Sequence, residues 1–128
     1  MSAKGRPERE YRSAQREGDP IRLSVILIAM NEEASIARAL RSVAFADEIV
    51  VVDSGSSDRT VEIARELGAK VTVTDDWPGF GPQKNRALDL ATGDWVLSLD
   101  ADEGLTAEAA DEIRRAVAAE ASGGAAGG

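Results

Sequence analysis

Strand-length apolar runs alternate along this chain with stretches of helical periodicity, and that alternation limits the folds open to it more than any other feature. Residues 23–29 (LSVILIA) form a continuous apolar run of strand length, after which Ile36, Leu40 and Val43 recur at helical spacing. Residues 49–52 are all β-branched, and a helix bearing Val61, Ala64 and Leu67 follows them. Ser56, Ser57 and Asp58 stand ready as its N-caps and Gly68 is placed to end it. Residues 71–74 predict a third, more polar strand. A Gly/Pro-rich loop through Pro82 then leads to a short helix bearing Ala87, Leu88 and Ala91. Residues 95–99 predict a fourth strand, and Thr106 is positioned to cap a last helix with Ala109, Ile113 and Val117 on one face. Repetition of this kind implies right-handed crossovers and a mainly parallel sheet flanked by helices, an α/β class of Rossmann-like design.

Composition bounds what such a sheet can do. With 128 residues and 43% hydrophobic content the chain can bury one core, which we place in residues 21–120. Residues 1–20 carry charge and turn formers without hydrophobic period, at a balance of +1, and are expected to form a disordered tail. Residues 121–128 contain only Ala, Ser and Gly; they read as a flexible tail or as a loop at which a longer protein has been cut, and the second reading is preferred. A formal charge of -8 argues against nucleic acid as a partner, and an anionic ligand would need a cation or a local basic group. The lack of Cys excludes a disulfide framework, and the lack of His removes the commonest general base and metal ligand. No apolar run reaches bilayer length and the charged N-terminus has no signal-peptide core, so the cytoplasm is the expected compartment.

Ligands of an open parallel sheet bind beyond the carboxyl ends of its strands. Here those ends read Asn31-Glu32, Asp53, Asp75-Asp76 and Asp100-Ala101-Asp102. Asp and Asn also cap helices and make turns after any strand, so each alone is ordinarily structural. Their conjunction points to a site. Asp100 and Asp102, one residue apart at the end of a buried strand, repel one another, and a bound divalent cation would relieve that repulsion. Asp53 lies where a strand-tip carboxylate can accept hydrogen bonds from a base or ribose. The turn after the first strand has no G-x-G-x-x-G, and there is no Walker A loop, so phosphates would be held by metal rather than by a glycine cradle. Lys84, Asn85 and Arg86, expected in one turn at a helix start, supply a basic cluster suited to an anion.

Five blocks in order then resemble a known family: residues 23–28, Asn31-Glu32-Glu33, residues 49–60 (IVVVDSGSSDRT), Lys84-Asn85-Arg86-Ala87-Leu88 and Leu99-Asp100-Ala101-Asp102-Glu103. They look like the nucleotide-sugar half of a family 2 glycosyltransferase with the GT-A fold, and the resemblance covers residues 21 to about 117. The unbroken stretch 77–88 (WPGFGPQKNRAL) resembles more particularly the branch that adds glucose to the inner core of bacterial lipopolysaccharide. By that resemblance a UDP-sugar is the donor and a glycan or glycolipid the acceptor. Asn31 and Glu32 would line the donor pocket and Asp53 would contact the uracil or its ribose. Lys84 and Arg86 would help hold the base or diphosphate. Asp100 would approach ribose and metal, while Asp102 would coordinate Mg²⁺ or Mn²⁺ on the diphosphate oxygens, a hard cation for hard carboxylates.

An inverting transfer also needs a general base, which family members carry in their second half with the acceptor elements. No residue here is assigned that role, Glu103, Asp75 and Asp76 included, and the base is expected beyond residue 128. The expectation is thus an N-terminal part of such an enzyme in the cytoplasm, with the inner face of the cytoplasmic membrane as an alternative setting and any peripheral membrane contact made by parts that are missing. Other readings are a non-catalytic, metal-dependent nucleotide-binding remnant, a nucleotidyltransferase, or a phosphatase of the haloacid-dehalogenase type. The last expects its acidic pair after the first strand, not the fourth. An EF-hand fails because Gly104 falls one place early.

Overall fold

The structure, a computed structural model, describes residues 2–3 and 23–119. Its elements in chain order are β1 (Ser2–Ala3), β2 (Leu23–Ala29), α1 (Ile36–Ser42), β3 (Glu48–Asp53) and α2 (Thr60–Glu66). β4 (Lys70–Val73), α3 (Phe80–Leu90), β5 (Trp95–Ser98) and α4 (Ala107–Ala119) follow. They form one sheet in the order β1-β5-β2-β3-β4, with β2, β3, β4 and β5 parallel and β1 antiparallel to β5. The α/β class and mainly parallel sheet inferred above are therefore present. Of the segment expected as a tail, Ser2–Ala3 lies in the sheet opposite Trp95 and Val96. Residues 4–20 and 121–128 lie outside the described residues, so those two expectations have no structural counterpart here.

Side-chain alternation sorts the central strands between two cores. Val25, Leu27, Ala29, Ile49 and Val51 pack with Ile36 and Leu40 of α1, Ala64 of α2 and Val117 of α4. Ile26, Val50, Val52 and Val96 face the other way, onto Ala87 of α3 and Ala91. Each buried Val, Leu or Ile contributes about 1.5–3 kcal/mol relative to an exposed one, which is why β2 and β3, covered on both faces, anchor the sheet. β4, at the edge of the sheet opposite β1, is mostly exposed, matching its more polar sequence.

Local signals set the element ends. Gly68, at φ +94°, follows α2, and its N–H and that of Ala69 bond back to the carbonyls of Arg65 and Ala64, closing the helix as expected. Thr106 Oγ1 accepts from the N–H of Ala109 at 3.0 Å and caps α4. At the start of α2 the expectation is corrected. The N-cap is Arg59, Asp58 serves the N–H of Thr60 from one residue earlier, and Ser56 and Ser57 bond across to Asn31. α3 begins at Phe80, before Pro82, because the first turn of a helix leaves its N–H groups unused and tolerates a residue without one. Lys84, Asn85 and Arg86 consequently sit in the second turn, not at the helix start.

The chain runs outward from β2 through β3 to β4 and then returns to the other side of β2 as β5. The reversal places the topological switch point between the carboxyl ends of β2 and β5, where open α/β sheets take ligands.

Candidate functional site

Three loops meet at the carboxyl edge of the sheet, and backbone donors that no strand can satisfy stitch them together. Asn31, in the left-handed region at φ 55°, donates its N–H to Ser56 Oγ at 2.7 Å, and its Oδ1 accepts from the N–H of Ser57 at 2.8 Å. The N–H of Glu32 reaches Thr60 Oγ1 at 2.8 Å, and that of Glu33 reaches Asp58 at 3.2 Å. Asp58 also accepts from Thr60 Oγ1, the main reason its carboxyl lies below the ordinary carboxylate value. The loop after β2 is thereby clamped to the loop after β3.

Asp53, at the tip of β3, is fully buried. Its carboxylate accepts from the N–H groups of Gly55 at 2.9 Å and Ser56 at 2.7 Å and from Ser56 Oγ. Gly55 allows the turn with φ +102°. In this structure Asp53 therefore shapes the loop beneath the site, since the nearest donors to a strand-tip carboxylate are those of its own turn.

Beyond β5, Asp100, Asp102 and Glu103 are exposed and each offers a carboxylate oxygen within 4.8 Å of the others. Asp100 and Asp102 are thus brought together as expected, and Glu103 joins them as a third oxygen donor that the D-x-D spacing alone did not single out. Three hard oxygen donors at this spacing suit Mg²⁺ or Mn²⁺. The loop is held by Ser35, whose Oγ lies 3.2 Å from the carbonyl of Ala101, and by Arg38, which donates to the carbonyl of Asp102 at 3.4 Å.

A cleft of about 500 Å³ opens across the carboxyl ends of β2, β3 and β4. Ile28, Ala29, Met30 and Glu32 form one wall, Ser54 the floor, and Asp75, Asp76, Trp77 and Phe80 the other wall. Trp77 and Phe80 meet edge to face with ring centroids 5.1 Å apart, yet both are largely exposed at the lip. Glu32 belongs to both parts of the site. Its Oε1 lies 3.3 Å from Ser35 Oγ, the same hydroxyl that reaches Ala101 between the two aspartates.

The basic residues divide. Lys84 is exposed on α3. Arg86 turns inward to the loop after β4 and grips Asp76 with two nitrogens at 2.8 and 3.0 Å, and its NH1 also reaches Gln83 Oε1 at 2.8 Å. That pairing lowers the Asp76 carboxyl below its usual range and raises Arg86. Gln83 was overlooked as a site residue, although a polar side chain four residues before Ala87 and eight before Ala91, in the stripe that α3 buries, was a legible signal.

The glycosyl transferase family 2 model matches residues 24–125. The chain belongs to that family. An uncharacterised glycosyltransferase of Rickettsia typhi is 50% identical over 93 residues, which are 72% of this chain and 32% of the relative. The lipopolysaccharide core biosynthesis glycosyltransferase LpsC of Rhizobium meliloti is 36% identical over 87 residues, 65% of this chain and 32% of that protein. Among solved structures, glucosyl-3-phosphoglycerate synthase of Mycobacterium tuberculosis, in complex with Mn²⁺, UDP and glucosyl-3-phosphoglycerate, superposes with a TM-score of 0.57 at 30% identity. That match covers 80% of this chain and 42% of the synthase. The family 2 chain thus spans about a third of the length of the curated relatives it matches. Among its described residues no helix is long and apolar enough to cross a membrane.

Proposed function

We propose that this family 2 chain is the donor-binding part of an inverting glycosyltransferase. It would serve transfer of a sugar, glucose in our reading, from a UDP-sugar to a glycan or lipid-linked acceptor such as the lipopolysaccharide inner core. One observation carries the proposal: Glu32, which lines the cleft, reaches through the Ser35 hydroxyl to the backbone of the loop that bears the acidic trio Asp100, Asp102 and Glu103, at the carboxyl edge of the sheet. The similarity to LpsC supports the acceptor class, and the complex of the mycobacterial synthase with Mn²⁺ and UDP supports the donor chemistry.

In this reading the nucleoside enters between Met30 and Trp77. The cleft walls contribute carboxylates at Glu32, Asp75 and Asp76, which suit the N–H and O–H donors of base and ribose and repel phosphate. The diphosphate therefore lies toward Asp100 and Asp102, and Lys84, exposed on α3, is offered as a cation for it. Asp53 and Asn31 shape the loops around the floor at Ser54 on which base or ribose rests, and Arg86 steadies the Asp76 wall. Asp100 and Asp102 would hold Mg²⁺ or Mn²⁺, which when bound neutralises charge on the departing nucleoside diphosphate. The base that deprotonates the acceptor, and contact with the inner face of the cytoplasmic membrane, are assigned to the part of the family's length that this chain does not span.

Titration calorimetry of UDP with and without Mn²⁺ tests the reading. The parent is expected to bind UDP in a Mn²⁺-dependent way, and Asp102→Ala to lose at least about tenfold in affinity with an unchanged far-UV spectrum. No UDP binding by the parent, or equal binding by the variant, would overturn it. Sugar transfer by these 128 residues alone would overturn the assignment of the base to another segment.

A further inference from the structure

The side chain of Gln83 is completely buried although it is polar, and it sits where three chain segments meet. Its Nε2 donates both protons, to Ser54 Oγ at 3.1 Å beyond β3 and to Thr74 Oγ1 at 2.9 Å beyond β4. Its Oε1 accepts from Arg86, which grips Asp76 bidentately. Thr74 Oγ1 lies in addition 3.3 Å from the carbonyls of both Asp53 and Asp76. One amide is thereby bonded directly to the floor of the cleft at Ser54 and, through Arg86, to its far wall at Asp76.

An apolar side chain of the same length would fill the space without the cost of burying an amide, so packing alone does not account for Gln83. What the amide adds is direction. Without it the hydroxyls of Ser54 and Thr74 lose their shared donor and Arg86 loses its brace, and the spacing between floor and wall is no longer set. Resting on the donor-cleft reading above, we propose that Gln83 is a positioning residue for the nucleoside, holding Ser54 and, through Arg86, Asp76 in register across the cleft. Arg86 is the outer arm of this brace, with its guanidinium committed to Asp76 and not to the diphosphate.

The test compares Gln83→Met and Gln83→Glu in the full 128-residue chain, reading three quantities: UDP affinity at saturating Mn²⁺, Mn²⁺ affinity without nucleotide, and Tm. Gln83→Met is expected to weaken UDP binding about tenfold while Mn²⁺ affinity stays within about twofold, because the acidic trio hangs on a different loop. Gln83→Glu keeps the acceptor for Arg86 and accepts from hydroxyls that can turn, so UDP affinity is expected to return to within about threefold of the parent. Parent-like UDP binding by Gln83→Met overturns this role alone, as does a parallel loss of UDP and Mn²⁺ affinity. Failure of the parent to bind UDP overturns the donor reading and this role with it. Should Gln83→Met not fold, Arg86→Met, which cuts the same brace at a partly exposed position, carries the test with the same outcomes.

Discussion

Replacing Asp53 by alanine should cost this chain much of its stability. The carboxylate receives three hydrogen bonds, from the N–H groups of Gly55 and Ser56 and from Ser56 Oγ, and none of its surface is exposed. Hydrogen bonds to a charged acceptor contribute about 1.5–3 kcal/mol each. Gly55 is exposed and Ser56 partly so, and water entering the truncated site would recover part of that sum, which places the loss for Asp53→Ala at about 3–4 kcal/mol. Against a total of about 5–15 kcal/mol for a typical domain, that is a large fraction. Asp53→Asn separates geometry from charge. Both backbone donors converge on Oδ2, which an amide oxygen can replace, and Ser56 Oγ can turn to accept from the new NH₂, so the expected loss is only about 1 kcal/mol. Urea unfolding followed by far-UV circular dichroism, with the m-value unchanged, gives both numbers. An alanine variant within about 0.5 kcal/mol of the parent would refute the argument that this carboxylate builds the loop.

Two further expectations concern pH and the opposite edge of the sheet. Asp76, held below its ordinary value near 3.8 by Arg86, binds a proton more readily in the unfolded chain. Its contribution to stability is therefore present above that ordinary value and disappears as pH falls through the lower folded one. Thermal melts between about pH 6 and pH 3 should show a shallower acid decline for Asp76→Asn than for the parent, and superimposable curves would contradict this. Glu48, buried at the start of β3, accepts from Ser24 Oγ, from the N–H and Oγ1 of Thr92 at 2.8 and 3.1 Å, and faces Lys70 at 3.7 Å. Glu48→Ala strands those partners and should destabilise by about 3–5 kcal/mol, lowering Tm by more than about 10 °C; a shift of only a degree or two would show that the network carries little.

Periodicity alone determined the fold class and the order of elements from β2 to α4. β-Branched and aliphatic runs at 23–29 and 49–52, short and rich in Val and Ile, favour a strand buried on both faces, and Gly68 and Thr106 each end or begin a helix through chemistry local to a few residues. The acidic strand tips were legible for the same reason, because a parallel sheet gathers its strand ends at one edge whatever lies between them. The partners of those tips were not legible. Arg86 closes on Asp76 across 10 positions and Gln83 on Ser54 across 29, and these are choices among donors and acceptors that only the packing of loop against loop supplies. The joining of cleft to acidic trio depends likewise on Ser35 reaching Ala101 across 66 positions. Spacing in sequence can mark a residue as able to bind, but a hydrogen bond is settled within a few tenths of an ångström, and only the tertiary structure brings distant residues to that distance.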